Sequence, residues 1–225
     1  MKKIRPEQAE NFVINALKRA NRVYCKLSGG EWVTGRGVES FLGYFVAQPF
    51  LKFYRSKDVF VTLEATQSEF KKEFAPKLRW GKKKSRGRFD IVLWSKRGTK
   101  KYALAVIELK REHHSYGGYK KDIKRVASVV ADCQKAGAGL QFGCFAACVS
   151  EYKGDEWISR DLKRDWKPLM KREAKRKKIK VRVFQPVLGL FQDWEDARVR
   201  FSVLGCVFFR KRRWQSESRF PRPLR

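Results

Sequence analysis

Asp90, Glu108 and Lys110 are the residues of this chain whose types and spacing could do chemistry together. Glu108-Leu109-Lys110 closes an apolar run, Tyr102 to Ile107. In an extended strand, side chains two apart share a face, so Glu108 and Lys110 project together while Ile107 and Leu109 point into the opposite layer. Asp90 is the only acid on the preceding run, Arg88 to Trp94, where it is expected to share a face with Val92, leaving Phe89, Ile91 and Leu93 on the other. A turn at Lys96-Arg97-Gly98-Thr99 joins the two runs as a hairpin. Closing that hairpin sets Asp90 opposite a residue near Ala105 to Ile107, and therefore close to Glu108.

Two carboxylates buried side by side conflict, because each disfavours the ionised form of the other and loss of water penalises both. A divalent cation removes the conflict. Mg²⁺ suits a site with one or two carboxylates, retained waters and a substrate's own phosphate oxygens. Asp90, Glu108 and the backbone carbonyl of Leu109 offer such a set, with Mn²⁺ as a substitute ion. The cation would stabilise charge on a scissile phosphate, and Lys110 would orient the attacking water. A bare Glu-x-Lys string is common, and two solvated charges beside a structural Asp would spell the same letters. The string gains weight because the strand that it ends reads as buried.

The elements that must position these groups follow from periodicity. Residues 6 to 20 predict an amphipathic helix with Pro6 in its first turn, then a short strand over Arg22 to Leu27. A Ser28-Gly29-Gly30 turn and a return strand over Glu31 to Thr34 complete the start. Val38 to Tyr54 predicts a second helix that Pro49 should kink or interrupt. Val59 to Glu64 is β-branched and aromatic, hence a strand, and residues 67 to 88 read as a basic loop or short helix. After the hairpin come a helix over Tyr119 to Ala136, stopped by Gly137, and a buried strand over Leu140 to Val149. A strongly charged helix is expected over Glu156 to Lys178, with Ile158, Leu162, Trp166, Leu169 and Met170 as its apolar stripe and a bend at Pro168. Late strands follow at Val181 to Phe184 and Phe201 to Phe209. One elaborated domain over 1–210, with its core at about 38–150, and a basic tail over 211–225 are the expected organisation.

Composition supplies the partner. The chain has 225 residues, with 53 Lys and Arg against 23 Asp and Glu, leaving +30. A hydrophobic fraction of 43% is too high for a disordered polycation, so the charge decorates a fold. DNA is the dense polyanion that such a surface suits. Without an apolar run long enough to span a bilayer or a signal-peptide core after Met1-Lys2-Lys3, a membrane is not the expected partner. Five cysteines without a CxxC pair, and only His113 and His114 beside them, suggest buried thiols in a reducing cytoplasm, not a disulfide framework or zinc site. Lys82, Lys83, Lys84, Arg86 and Arg88 crowd the approach to Asp90 and are expected to draw in the DNA backbone. Lys120, Lys121, Lys124 and Arg125 form a positive helix face after Lys110, a phosphate contact or a solvated surface.

Phe89-Asp90, then Glu108-Leu109-Lys110 at the end of an apolar strand, resembles the PD-(D/E)XK nuclease superfamily, with Phe89 where the name-giving pattern has Pro. The resemblance covers about half the chain and implies an α/β fold with a restriction-endonuclease-like core. That core is α-β-β-β-α-β, a mixed central sheet flanked by helices, here with N- and C-terminal additions. The succession expected for Val38 to Val149 has the same order. The resemblance also implies a further catalytic acid from the first core helix or first strand, for which Glu39 and Glu64 compete, with Glu39 preferred. A metal-dependent deoxyribonuclease is the resulting expectation, compatible with a homodimer. A non-catalytic nucleic-acid-binding protein that retains the fold is the alternative.

Overall fold

The structure, a computed structural model, describes residues 3–36, 39–74, 87–111, 116–154, 160–185, 187–188, 192–194 and 197–210. Helix α1 is Pro6–Leu27, and its buried Ala9, Val13, Ala16, Leu17 and Ala20 follow the expected period. The period does not stop at Ala20. Val23 and Tyr24 are three and four residues on and pack against the same core, so the strand expected over Arg22 to Leu27 is helix instead. Helical burial there outweighs the β preference of those side chains. The return strand expected at Glu31 to Thr34 is also absent: Val33–Arg36 is a short helix, α2, and the Val33 N–H donates to Asn21 Oδ1 at 3.1 Å. Helix α3, Glu39–Tyr54, continues through Pro49 without interruption, with Leu42, Val46 and Phe50 buried on both sides of it.

Strand β1 (Val59–Thr66) is followed by α4 (Gln67–Phe74), β2 (Arg88–Arg97) and β3 (Lys100–Arg111). Gly98, at φ 58°, supplies the left-handed residue that turns β2 into β3. Helix α5 (Tyr116–Lys135) then crosses to β4 (Phe142–Tyr152). The expected charged helix is described as a π-helical turn, Leu162–Trp166, leading into α6, Lys167–Lys177, with Pro168 in the first turn. Trp166, Leu169 and Met170 are buried as its stripe requires, whereas Ile158 and the side chain of Leu162 lie outside the described residues. Strands β5 (Lys180–Val183), β6 (Val187–Leu188), β7 (Gln192–Trp194) and β8 (Ala197–Phe209) complete the chain. The tail over 211–225 lies outside the described residues.

The fold is α/β: a mixed sheet with strand order β1-β2-β3-β4-β8-β5, flanked by helices, with β6 and β7 also paired to β8. β3 and β4 are parallel, joined by the α5 crossover, and the other neighbours are antiparallel. One face packs against α4, α5 and α6 through Phe70, Ile123, Val126, Trp166 and Met170, and the other against α1 and α3 through Val13, Leu17, Leu42 and Phe50. Succession from α3 to β4 is helix, three strands, helix, strand, with α4 inserted after β1. Among the described residues no helix is long and apolar enough to cross a membrane.

One expectation about facing fails. Phe89 joins the layer of Val92 and Phe70, not that of Ile91 and Leu93, and its ring lies 5.5 Å from that of Phe70. The neighbouring strand is irregular at the same place. Pairing runs Leu63↔Ile91 and then Ala65↔Phe89, and Glu64 between them adopts φ 53°, a left-handed conformation costly for a residue with a Cβ. Alternation along β2 is broken beside Asp90.

Close packing across the sheet depends on two glycines. A Cβ on Gly143 would meet methyls of Val126 and Val130 at 2.7 Å, and one on Gly205 would meet the Phe145 carbonyl and the Phe184 ring closer still. Backbone cannot yield as a flexible side chain does. Gly205→Ala should therefore lower unfolding free energy by about 1–3 kcal/mol, the usual range for overpacking, measured as a drop in urea midpoint at unchanged slope. An unaltered midpoint would contradict this packing.

Candidate active site at the end of β3

Asp90, Glu108 and Lys110 meet, as the hairpin reading expects. The Leu109 N–H donates to Asp90 Oδ2 at 2.6 Å, tying β2 to β3 just beyond the paired residues Ile91 and Ile107. Glu108 is 2% exposed and faces α5, where its Oε1 is held by the Arg125 guanidinium. Lys110 Nζ lies 3.5 Å from the same Oε1 and 3.4 Å from both carboxylate oxygens of Glu39. Three acids and one ammonium thus form a connected set spanning α3, β2 and β3.

Burial controls the protonation of the set. Loss of water pushes the Asp90 carboxyl up to about 6, against the opposing pull of the Leu109 N–H and Lys110, while Glu39 adds to the rise. Burial and the neighbouring Asp90 push Glu108 up to about 8 despite Arg125 and Lys110. For Lys110, burial favours the neutral amine, but Asp90, Glu108 and Glu39 outweigh it and raise its pKa. Lys110 is therefore an ammonium that donates, not a neutral base.

The two candidates for the additional acid are separated by their contacts. Glu39, at the start of α3, holds Lys110, whereas Glu64 pairs with Arg88 at 3.0 Å, both more than half exposed. Glu39, Glu64, Arg88 and Asp90, with Ser40 and Leu63, line one cavity of about 240 Å³. Glu39 thus reaches the set through the lysine, as a positioning group.

Arg125 carries more of the site than its sequence suggests. It bridges Glu108 and Asp122, the latter at 2.8 Å, and its guanidinium lies 6.0 Å from the centre of the Phe89 ring. Its only advance signal is membership of the α5 positive face. Of that face, Arg125 reaches Glu108, while Lys121 is exposed and Lys120 and Lys124 are partly covered. Arg88 stands at the cavity rim, exposed. Lys82, Lys83, Lys84, Arg86, His113 and His114 lie outside the described residues.

A divalent cation fits this set. Glu108 Oε2 is buried without a hydrogen-bond partner, and both acids are destabilised as anions, which together mark a place short of positive charge. Among the described residues no three His, Cys, Asp or Glu groups form a ready cage. Mg²⁺ does not need one: Asp90, Glu108 and the Leu109 carbonyl, with water and substrate oxygens, supply hard donors of the right kind. Leu109 serves the site visibly through its N–H, which aims Asp90.

A carboxyl whose folded pKa exceeds its unfolded value binds its proton more tightly when folded. Its contribution to stability is present in acid and lost as pH rises through the folded value. For Asp90 that loss is complete above about 6 and for Glu108 above about 8. Metal-free protein should therefore lose stability between pH 5 and 8.5 relative to Glu108→Gln, which has no such proton to release; thermal melts of the pair across that range measure it. Parallel pH profiles would contradict the buried, proton-binding state of Glu108.

No family model matches this chain and no curated protein matches it, so the chemistry of the site is read from its own groups.

Proposed function

We propose that the protein is a metal-dependent nuclease that hydrolyses DNA phosphodiester bonds through a PD-(D/E)XK-type site in a restriction-endonuclease-like core. The observation that carries this reading is the convergence of Asp90, Glu108 and Lys110 at one end of the sheet, with Glu108 Oε2 buried and unpartnered. The succession helix, three strands, helix, strand from α3 to β4, with α4 inserted after β1, and the parallel β3–β4 pair support it. A net charge of +30 supports DNA as the substrate.

A bound divalent cation would supply Lewis acidity and a charge match for the phosphate. The protein's own groups do the positioning. Asp90 is aimed by the Leu109 N–H, and Glu108 is fixed by Arg125 with its second oxygen left open. Lys110, kept protonated by three acids, donates to the attacking water or to a phosphate oxygen, and Glu39 holds its ammonium in place. Arg88 at the cavity rim would exchange Glu64 for a phosphate, a stronger partner for a guanidinium than an exposed carboxylate.

One observation favours a second reading, a non-catalytic DNA-binding protein of the same fold. Arg125 and Lys110 already give Glu108 internal counter-ions, so the acids have partners without any metal. The two readings separate on incubation with circular and linear DNA plus Mg²⁺ or Mn²⁺, beside Asp90→Ala and Lys110→Ala. The nuclease reading expects cutting by the parent and a loss of at least about 100-fold in each variant. Tight binding of uncut DNA by the parent selects the second reading. Affinity of all three for DNA without metal should fall steeply with salt, since phosphate contacts lie outside the catalytic set; a flat salt response removes DNA as the partner.

A further inference from the structure

Helix α6 has no part in the site, yet its exposed surface is the most one-sided in charge among the described helices. Lys167, Lys171, Arg172, Lys175 and Lys178 are exposed and have no ion-pair partner among the described residues. The single acid of the helix, Glu173, is 3% exposed and held by Arg176 at 2.6 Å. Lys167, Lys171 and Lys175 recur every four residues, which places them on one face, and Lys178 follows as the left-handed C-cap just beyond the last turn. Successive members rise about 5–6 Å along the axis, inside the Debye length of about 8 Å at physiological salt, so they repel one another unless an anion lies between them.

The stripe also has a direction. Trp166, at the start of α6, is buried against Tyr119 in the first turns of α5, with ring centres 4.6 Å apart. Those turns follow directly from the end of β3 that carries Glu108 and Lys110. The other end of α6 leads into β5, where Lys180 pairs with Phe209, itself paired with Phe142 at the start of β4. Because β4 runs parallel to β3, that start is the end of the sheet opposite the site. The stripe therefore begins beside the catalytic end and runs away from it along the α5–α6 layer.

We propose that the exposed face of α6 is a backbone-binding ridge that seats duplex DNA flanking the cut. Its length, about 16 Å, matches about five base pairs and about ten phosphates of a duplex. The occupant is duplex because the ridge has charge without stacking groups. The exposed large apolar side chains among the described residues, Leu27, Tyr44, Leu51, Leu63, Tyr102 and Tyr152, all lie off α5 and α6, whereas single-strand grooves combine cations with aromatic platforms. The nuclease reading supplies the position of the cut; the ridge itself requires only the charge and its placement.

The test compares the full chain with a triple variant, Lys167→Gln, Lys171→Gln and Lys175→Gln, and with a control of equal charge loss on the opposite layer, Lys18→Gln, Arg22→Gln and Lys26→Gln, all exposed on α1. Binding to duplex and single-stranded DNA is measured by anisotropy in Ca²⁺ over a salt series, with melting temperatures confirming that each variant is folded. The ridge variant should lose at least about tenfold in duplex affinity at moderate salt, and its log–log salt slope should become shallower by about 2 to 3, while the control changes less. Equal effects of the two triples mean that net charge alone attracts DNA and overturn the ridge. A larger loss for single strands than for duplex overturns the duplex assignment. If the parent binds through the ridge but never cuts with Mg²⁺, the nuclease reading fails and the ridge stands.

Discussion

The hydrogen bond from the Leu109 N–H to Asp90 Oδ2 is the contact on which the candidate site depends. It joins the acid of one strand to the backbone of the next, so Asp90 cannot leave the neighbourhood of Glu108 without breaking a part-buried bond at the end of the sheet. Everything charged nearby responds to that juxtaposition. Each acid makes the other costlier to ionise, Lys110 becomes harder to deprotonate between them, and Arg125 is drawn in from α5. Even with Lys110 and Arg125 beside them, the acids stay costly to ionise, and Glu108 Oε2 is buried without a hydrogen-bond partner.

The surrounding fold makes the arrangement rigid. Gly143 lets α5 approach β4 closely enough for Val126 and Val130 to touch the sheet, and Arg125 sits one residue before Val126 on that helix. Helix α3, on the opposite face, delivers Glu39 to Lys110 from its first turn. The set is therefore clamped from both layers, and a shift of either helix would move a partner of Lys110 or of Glu108. Glu64, in a strained left-handed conformation between the Leu63–Ile91 and Ala65–Phe89 pairs, lines the cavity beside Asp90.

Much of this was legible from residue pattern. The hairpin follows from two extended runs around Gly98, and its antiparallel pairing brings Asp90 to Glu108 even though the register shifts between Leu93 and Trp94. The helix carrying Trp166, Leu169 and Met170 follows from their spacing. Elsewhere the local pattern was overruled. Arg22 to Leu27 have strand-forming side chains, but the core beneath α1 extends far enough to cover Val23 and Tyr24 partly on a helix. Phe89 changes layer where the alternation breaks on both strands, beside Asp90 on β2 and at the left-handed Glu64 on β1.

What the chain determined by itself is the set of interactions whose range is a few residues: the hairpin, the helical stripes, the pairing of Glu108 with Lys110 on one face, and the overall positive field. Tertiary structure alone decided which distant charge answers which. Arg125 and not Lys120, Lys121 or Lys124 reaches Glu108, and Glu39 rather than Glu64 holds Lys110. Charges so far apart in sequence choose partners only when packed helices fix their separations to within an ångström or two. The packing of α3 and α5 against opposite faces of the sheet is cooperative over the whole domain and leaves no local mark on the residues that it brings together.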